Sequence, residues 1–278
     1  MTDYKLFNYM GSKLRHINII NEYIKMSDKK VYAEPFLGSG CVFLNLEKEF
    51  DRYYLCEKDD NVYRLFKNII ENIEVEDFTD YFNDTLKTYQ LNQYDDYYSY
   101  REMWNNDLWQ SDKKEESFGL IMLSCCCINS MFRFGKNGFN QGFGGRFINK
   151  EKIDRSEKTI EYIKNKKDRI FLYDNYNKLF ELNNALVFLD PPYFKNPLGN
   201  GSWDEDKTKY MLDFFNKKNN DIIYTDIDNS HGEALFKNKY KLDIIKNISP
   251  NRKGEILLDE VIYSNFYNKE QIKSNKLF

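Results

Sequence analysis

The sequence predicts a doubly wound α/β domain interrupted by a mainly helical insertion. Three observations carry the prediction. Strand-then-helix units occupy both ends of the 278-residue chain. Between them, residues 76–117 are rich in Asp, Asn, Tyr, Trp and Lys, with amphipathic helical spacing and no strand pattern. Later, the apolar run Ala185–Leu189 passes directly into Asp190-Pro191-Pro192-Tyr193, as a buried strand does when it feeds a loop at a sheet edge.

Residues 14–26 place apolar side chains at helical spacing and predict a first helix. The segment 31–40, VYAEPFLGSG, starts extended and ends in a Gly-x-Gly turn, and the apolar-rich 41–50 predicts a helix after it. A short strand is expected at 52–57, ending on Glu57, then a helix at 62–70. Helices fill 76–117, and Gly119–Ile128 reads as a buried helix. Residues 132–147 are dense in Gly and Phe, and Asn137-Gly138 signals a hairpin. A polar helix at 149–167 precedes strands at 169–173 and 185–189. After 194–203, read as a flexible stretch, come a helix near 205–218, a strand at 221–225, a helix near 231–238, and paired strands near 241–248 and 256–266.

Composition narrows the classes. With 41% apolar and 31% charged residues the chain can bury a core and is not a disordered segment. The longest apolar stretch falls well short of the ~20 residues of a membrane span, and the N-terminus carries no apolar signal core. Five cysteines, Cys41, Cys56 and Cys125-Cys126-Cys127, predict reduced, buried thiols in a cytoplasmic protein. Without a Cys-x-x-Cys and with only His16 and His231, neither a metal site nor a His-based triad is expected. Net charge is −3, yet Arg133–Arg169 holds 11 Lys or Arg against 5 Asp or Glu, so the remainder lies near −9. That segment is a candidate polyanion surface, or else a solvated helix of mixed charge.

Two segments carry chemistry. Small residues in AEPFLGSG, Ala33 to Gly40, let a ligand approach the backbone, although such a turn also occurs with no ligand. Glu57 lies at the end of the next strand, where nucleotide-binding α/β folds use an acid to accept from both ribose hydroxyls; a solvated strand-end charge beside Lys58 fits as well. In Asp190-Pro191-Pro192-Tyr193 the prolines fix φ and remove two N–H donors, leaving a carboxylate, carbonyls and an aromatic face but no nucleophile. That set suits an amino group held as a hydrogen-bond donor on a stacked ring, whereas a bare Asp-Pro turn would only cap.

These strings resemble those of a known family. Asp190–Tyr193 resembles motif IV of amino-methyltransferases, and Ala33–Gly40 resembles their S-adenosylmethionine motif I. Tyr9-Met10-Gly11-Ser12-Lys13 resembles the element preceding motif I in the class alpha, Dam-type DNA adenine methyltransferases, whose motif order this chain follows. Met131-Phe132-Arg133 and Phe143–Lys150 are similar to the hairpin and following segment of Dam-type enzymes, phage ones especially, and Arg252-Lys253-Gly254 to their C-terminal element. The likeness covers nearly the whole chain.

The resemblance implies a Rossmann-like methyltransferase sheet formed by 1–69 and 169–278. It makes 70–168 a target-recognition subdomain carrying a β-hairpin. It implies S-adenosyl-L-methionine as cofactor, with Glu34, Pro35, Phe36, Gly38, Ser39 and Gly40 at its methionine side and Tyr9 and Lys13 over that end. Glu57, standing where the family usually has Asp, would hold the ribose, Asn175 and Tyr176 would flank the adenine, and Asp190 would border the cofactor. Asp190, Pro191, Pro192 and Tyr193 would receive an adenine flipped from duplex DNA. DNA contacts would come from Met131, Phe132, Arg133, Gly142, Arg146, Asn149, Lys150 and Arg252, with Lys150, Lys152, Lys164, Lys166 and Lys167 on phosphates. Arg133 and Arg146 suit bidentate contact with guanine, or else a phosphate or a surface ion pair. The Phe side chains of 132–143 are expected to pack the hairpin, with Phe132 the one able to enter the base stack. The implied target is GATC, although Gly142 replaces a Pro common in close phage relatives. The implied protein acts in a bacterial cell or phage-infected host, as a monomer or as a dimer on DNA.

Other classes are weighed against this one. Cytosine N4 or RNA enzymes use a similar loop, but Asp190 stands where cytosine enzymes tend to carry Ser. A non-catalytic DNA-binding relative would keep the fold. A nicotinamide dehydrogenase lacks support, because Cys41-Val42-Phe43 follows Gly40 in place of a third glycine.

Overall fold

The protein is described from a computed structural model covering residues 4–9, 11–91, 93–146, 148–193, 203–247 and 256–266. In chain order the elements are α1 (Ile17–Met26), β1 (Val31–Glu34), β2 (Arg52–Cys56), α2 (Asp60–Glu71), α3 (Val75–Tyr89), α4 (Tyr94–Met103), α5 (Lys114–Cys126), β3 (Phe134–Gly135), β4 (Gly138–Phe139), α6 (Lys150–Lys164), β5 (Ile170–Tyr173), β6 (Leu186–Leu189), α7 (Glu205–Asn216), β7 (Asp221–Ile227), α8 (Ser230–Leu235), β8 (Asn238–Asn247) and β9 (Ile256–Ser264). A mixed α/β fold with a seven-stranded, mostly parallel central sheet results, as expected for a Rossmann-like methyltransferase.

The chain divides into two compact units, residues 1–15, 37–46 and 57–174, and residues 16–36, 47–56 and 175–278. The second unit holds six strands of the central sheet, in the order β2-β1-β6-β7-β9-β8. β1 pairs in parallel with β2 and with β6, and β6 with β7, whereas β9 runs antiparallel to β7 and β8. The chain leaves β1 toward β2 and later returns on the opposite side as β6. The sheet therefore reverses its winding between β1 and β6, and the carboxyl ends of that pair flank the crevice where such sheets bind ligands. Leu186–Leu189 is wholly buried, which explains the unbroken apolar run of a strand paired on both sides.

The first unit is mainly helical. α5 is buried from Glu116 to Cys126, with Tyr97, Tyr100 and Trp104 of the preceding helical segment among the buried residues around it. Glu116 is buried but partnered: Arg64 of α2 lies 3.0 Å away, and the backbone N–H groups of Gln110 and Asp112 donate to it. β3 and β4 form a two-stranded antiparallel hairpin, Phe134 opposite Phe139 and Gly135 opposite Gly138. Its loop is Lys136-Asn137, so Gly138 is the first residue of the return strand, with φ +96°. The five cysteines are free thiols, all but Cys41 buried.

One expected element is absent. Residues 41–50 form a single 3₁₀ turn, Phe43–Asn45, instead of a helix. Asn45 is the reason: its amide donates to the Cys41 carbonyl at 2.9 Å, the acceptor its own backbone N–H would need in an α-helix, and also to the Tyr4 carbonyl at 3.1 Å. The glycine turn is therefore not followed by an α-helix N-terminus.

Candidate active site

In the first unit the site begins with the glycine turn. The Gly40 N–H donates to the Leu37 carbonyl at 2.8 Å, and Gly38 and Gly40 adopt φ of +53° and +68°. A Cβ on Gly38 would sit 3.1 Å from the Tyr9 ring, and one on Gly40 would sit 2.9 Å from Phe66. Ser39 between them is buried. Both positions thus favour glycine by conformation, Gly40 also by space, and Tyr9, an exposed aromatic, lies against the turn.

Glu57 is buried beside this turn. One carboxylate oxygen accepts the Gly38 N–H at 2.7 Å and the other the Asp59 N–H at 2.7 Å. Its own N–H donates to the Tyr173 carbonyl at 3.0 Å, which sets its backbone. Burial pushes its pKa up to about 7, against the pull of the backbone N–H groups of Asp59, Gly38 and Lys58. An ionised carboxylate offers about four lone-pair positions, so two N–H donors leave capacity for further hydroxyls. Lys13 is also buried, and its ammonium donates to the Gly11 carbonyl at 2.9 Å.

In the second unit, Glu34 closes β1 and accepts from the Tyr32 hydroxyl at 2.8 Å. Pro35 is buried and Phe36 half-buried. Phe36 meets Tyr176 at 5.3 Å and Trp203 at 5.2 Å between ring centroids, and Tyr176 meets Trp203 at 5.8 Å. Asn175 caps the short turn that carries Tyr176, accepting the Asn177 N–H at 3.0 Å. Trp203 was not among the expected residues, and its one sequence signal is that the chain has only three Trp.

Asp190 lies half-buried at the carboxyl end of β6, next in the sheet to the end of β1. The Thr225 hydroxyl donates to Asp190 Oδ1 at 2.8 Å from the parallel neighbour β7. Pro191 is buried and Pro192 exposed. The Tyr193 hydroxyl donates to Glu260 Oε1 at 2.8 Å, and burial, with the Asp190 and Glu260 carboxylates nearby, holds its pKa well above the usual range. Both ends of the Asp-Pro-Pro-Tyr loop are therefore tied to neighbouring strands. Thr225 and Glu260 escaped sequence reasoning; the signals present were a polar pair closing DIIYTDI and an acid inside ILLDEVIYS.

The expected DNA-contacting residues from Met131 to Lys150 lie within the first unit, in the hairpin segment and after it. Arg133, Arg146 and Lys150 are exposed. Met131 and Gly142 are half-buried, and Met131 bridges to Asn8. Phe132 stacks on Phe7 at 3.9 Å and packs edge-on against Phe134 and Phe139, so it is hairpin packing rather than a free wedge. Asn149 is the N-cap of α6, accepting the Lys152 N–H at 3.0 Å. Three of the expected phosphate lysines are engaged internally. Lys152 donates to the Cys125 carbonyl at 2.5 Å, Lys164 pairs with Glu74 at 3.0 Å, and Lys166 is buried with its ammonium 4.7 Å from the Tyr162 ring. Lys150 and Lys167 remain exposed. Arg252, Met10 and Phe147 lie outside the described residues.

Among the described residues no three His, Cys, Asp or Glu are grouped to hold a metal ion, and no helix is long and apolar enough to cross a membrane. Comparison with known proteins gives the family. The chain is 25% identical to the type II methyltransferase M.MjaIII of Methanocaldococcus jannaschii over 249 residues, covering 84% of each chain. It is 29% identical to the DNA adenine methylase of Haemophilus influenzae, covering 66% of this chain and 62% of the relative. With the Vibrio cholerae DNA adenine methylase it shares 23% identity over 91% of this chain and 93% of the relative. The family profile described as D12 class N6 adenine-specific DNA methyltransferase matches residues 9–257, a span that takes in the glycine turn, Glu57, the hairpin and the Asp-Pro-Pro-Tyr loop, and the chain therefore belongs to that family and is an adenine-specific DNA methyltransferase.

Proposed function

We propose that the protein transfers a methyl group from S-adenosyl-L-methionine to N6 of an adenine flipped out of duplex DNA, with GATC as the target site. One observation carries the reading. A carboxylate, Asp190, is fixed by Thr225 at the carboxyl end of a buried strand, directly before two prolines and an anchored tyrosine.

Adenine N6 is a poor nucleophile, because its lone pair is delocalised into the ring. Asp190 and the Pro191 carbonyl accept its two N–H bonds, which draws the nitrogen toward tetrahedral geometry and frees the lone pair. Positive charge grows on nitrogen as the C–N bond forms and the S–C bond of the donor breaks, so an acceptor carboxylate stabilises the charge where it develops, and one N6 proton is then lost to solvent. Holding the amine in line supplies much of the remaining acceleration. Tyr193 stacks on the extruded base and offsets the unstacking cost of a few kcal/mol.

S-Adenosylmethionine, when bound, supplies an electrophilic methyl on a sulfonium. The residues fit its chemistry. A turn shaped by two positive-φ glycines, and a buried carboxylate with acceptor capacity beyond the N–H groups of Gly38 and Asp59, suit an amino-acid group and a ribose diol. Glu34 to Gly40, with Tyr9 and Lys13, take the methionine portion, Glu57 the ribose, and Asn175 and Tyr176 the adenine. In this reading 1–69 and 169–278 perform catalysis, and 70–168 reads the site through Arg133 and Arg146. The setting is DNA in a bacterial cell or phage-infected host.

A different adenine site is the second reading, favoured by Gly142, which stands where close phage relatives tend to carry Pro. Mapping methylated adenines in DNA from cells expressing the protein tests both. GATC methylation supports the first and another adenine motif the second. Methyl groups on cytosine would overturn both. Arg146→Ala should change the ratio of methylation among single-base variants of the site; an unchanged ratio would remove Arg146 from the reader.

A further inference from the structure

We infer that Glu260, on β9, is a positioning residue for methyl transfer: it holds the Tyr193 ring in one plane through the phenol, with His16 seated at its second oxygen. The inference rests on the reading of Asp190–Tyr193 as the loop that receives the target base.

Glu260 is a carboxylate only 4% exposed, in a strand whose next residues, Val261, Ile262 and Tyr263, are buried. Burying an acid there is unfavourable unless it is partnered. Each of its oxygens has a partner. Oε1 accepts the Tyr193 hydroxyl at 2.8 Å, and Oε2 lies 3.5 Å from His16 Nε2 at the head of α1.

A ring that only stacks on a base needs no hydroxyl. Here the hydroxyl is tied to the protein, and the raised pKa of Tyr193 keeps it a donor across the working range of pH. The other end of the residue follows two prolines, whose φ angles are fixed. A side chain held at its Cα and at its far tip cannot swing about χ1. The ring plane is therefore set before a base arrives, and a preset stacking plane lowers the ordering cost of reaching the reactive geometry. Register supports a shared design. Glu260 stands opposite Ile227 of β7, two residues beyond Thr225, which holds Asp190. Adjacent strands thus each supply an anchor for one end of the same four-residue loop.

The test is steady-state methyl transfer by the full chain, with duplex DNA and labelled S-adenosylmethionine. The chains compared are wild type, Tyr193→Phe, Glu260→Gln, Glu260→Leu and the Tyr193→Phe/Glu260→Leu double variant. Tyr193→Phe keeps the ring and loses the tether, so kcat should fall about tenfold while KM for the methyl donor stays within about twofold. Glu260→Gln retains an acceptor oxygen and should keep most of the activity. Glu260→Leu should match Tyr193→Phe, and the double variant should be no slower than either single one, the mark of one shared interaction. Wild-type kcat in Tyr193→Phe, losses that multiply in the double variant, or a Gln variant as slow as the Leu variant would each overturn the inference. Tyr193→Phe leaves the buried carboxylate in place, so it reports even if Glu260→Leu does not fold. A wild-type chain that methylates no duplex would instead bring down the underlying reading, and this inference with it.

Discussion

Glu57 is under two opposed demands. Burial favours its neutral form, whereas the N–H groups of Gly38 and Asp59 favour the charged one, and burial prevails, raising the pKa from near 4.5 to about 7. The folded chain therefore binds this proton more tightly than the unfolded chain does. Its contribution to stability is complete below about pH 4.5 and is lost as pH climbs through about 7. Relative to Glu57→Gln, the wild type should lose stability over that window in thermal melts. If Glu57 accepts from the ribose diol, ionisation improves it as an acceptor. S-Adenosylmethionine should then bind more tightly at pH 8 than at pH 6, and Glu57→Gln should flatten the dependence. Titration calorimetry showing the same slope in both proteins would contradict the assignment. Glu57 and Asp190 were legible in the sequence because each closes a recognisable strand. Thr225 and Glu260 were not, because they reach their partners across 35 and 67 residues of chain, through strand pairing that no local pattern records.

Among the elements, the hairpin shows how a short piece of structure is held. β3 and β4 contribute two residues each, too few for independent stability. Support comes from the helical segment 94–108. Asn105 lies in a π-helical turn, Trp104–Leu108, closed by the Trp109 N–H to the Trp104 carbonyl at 2.9 Å. Its amide donates to the Phe139 carbonyl at 3.0 Å and accepts the Phe139 N–H at 2.8 Å, as a neighbouring strand would. The Tyr97 hydroxyl and Arg101 both donate to the Gln141 carbonyl. Asn105→Ala should cost about 1–3 kcal/mol in chemical denaturation and speed exchange of the Phe139 amide. Unaltered exchange there would mean that the hairpin stands on its own packing. The hairpin was expected from Asn137-Gly138, but its turn lies one residue earlier, at Lys136-Asn137. The helix expected at 41–50 failed for a reason periodicity does not register, a side-chain amide taking the carbonyl the helix needed.

At the scale of the whole molecule, alternating strand and helix patterns made the sheet legible, including its antiparallel end, and the non-strand stretch foretold the helices α3 and α4. Charge was less informative than it looked. The basic surplus of residues 133–169 includes Lys152, Lys164 and Lys166, which are engaged within the protein, so fewer cations face outward than composition suggests. Burial and pairing decide which charges are available, and neither is written in composition.

The account turns on the carboxylate that Thr225 holds at the end of β6. Its most direct test is nucleoside analysis of duplex DNA incubated with S-adenosylmethionine and either the wild-type chain or Asp190→Ala, with donor affinity measured in parallel. The expected result is N6-methyladenine with the wild type and at least about a hundredfold less with Asp190→Ala, at donor affinity within about twofold. Near-normal N6-methyladenine formation by Asp190→Ala would contradict it.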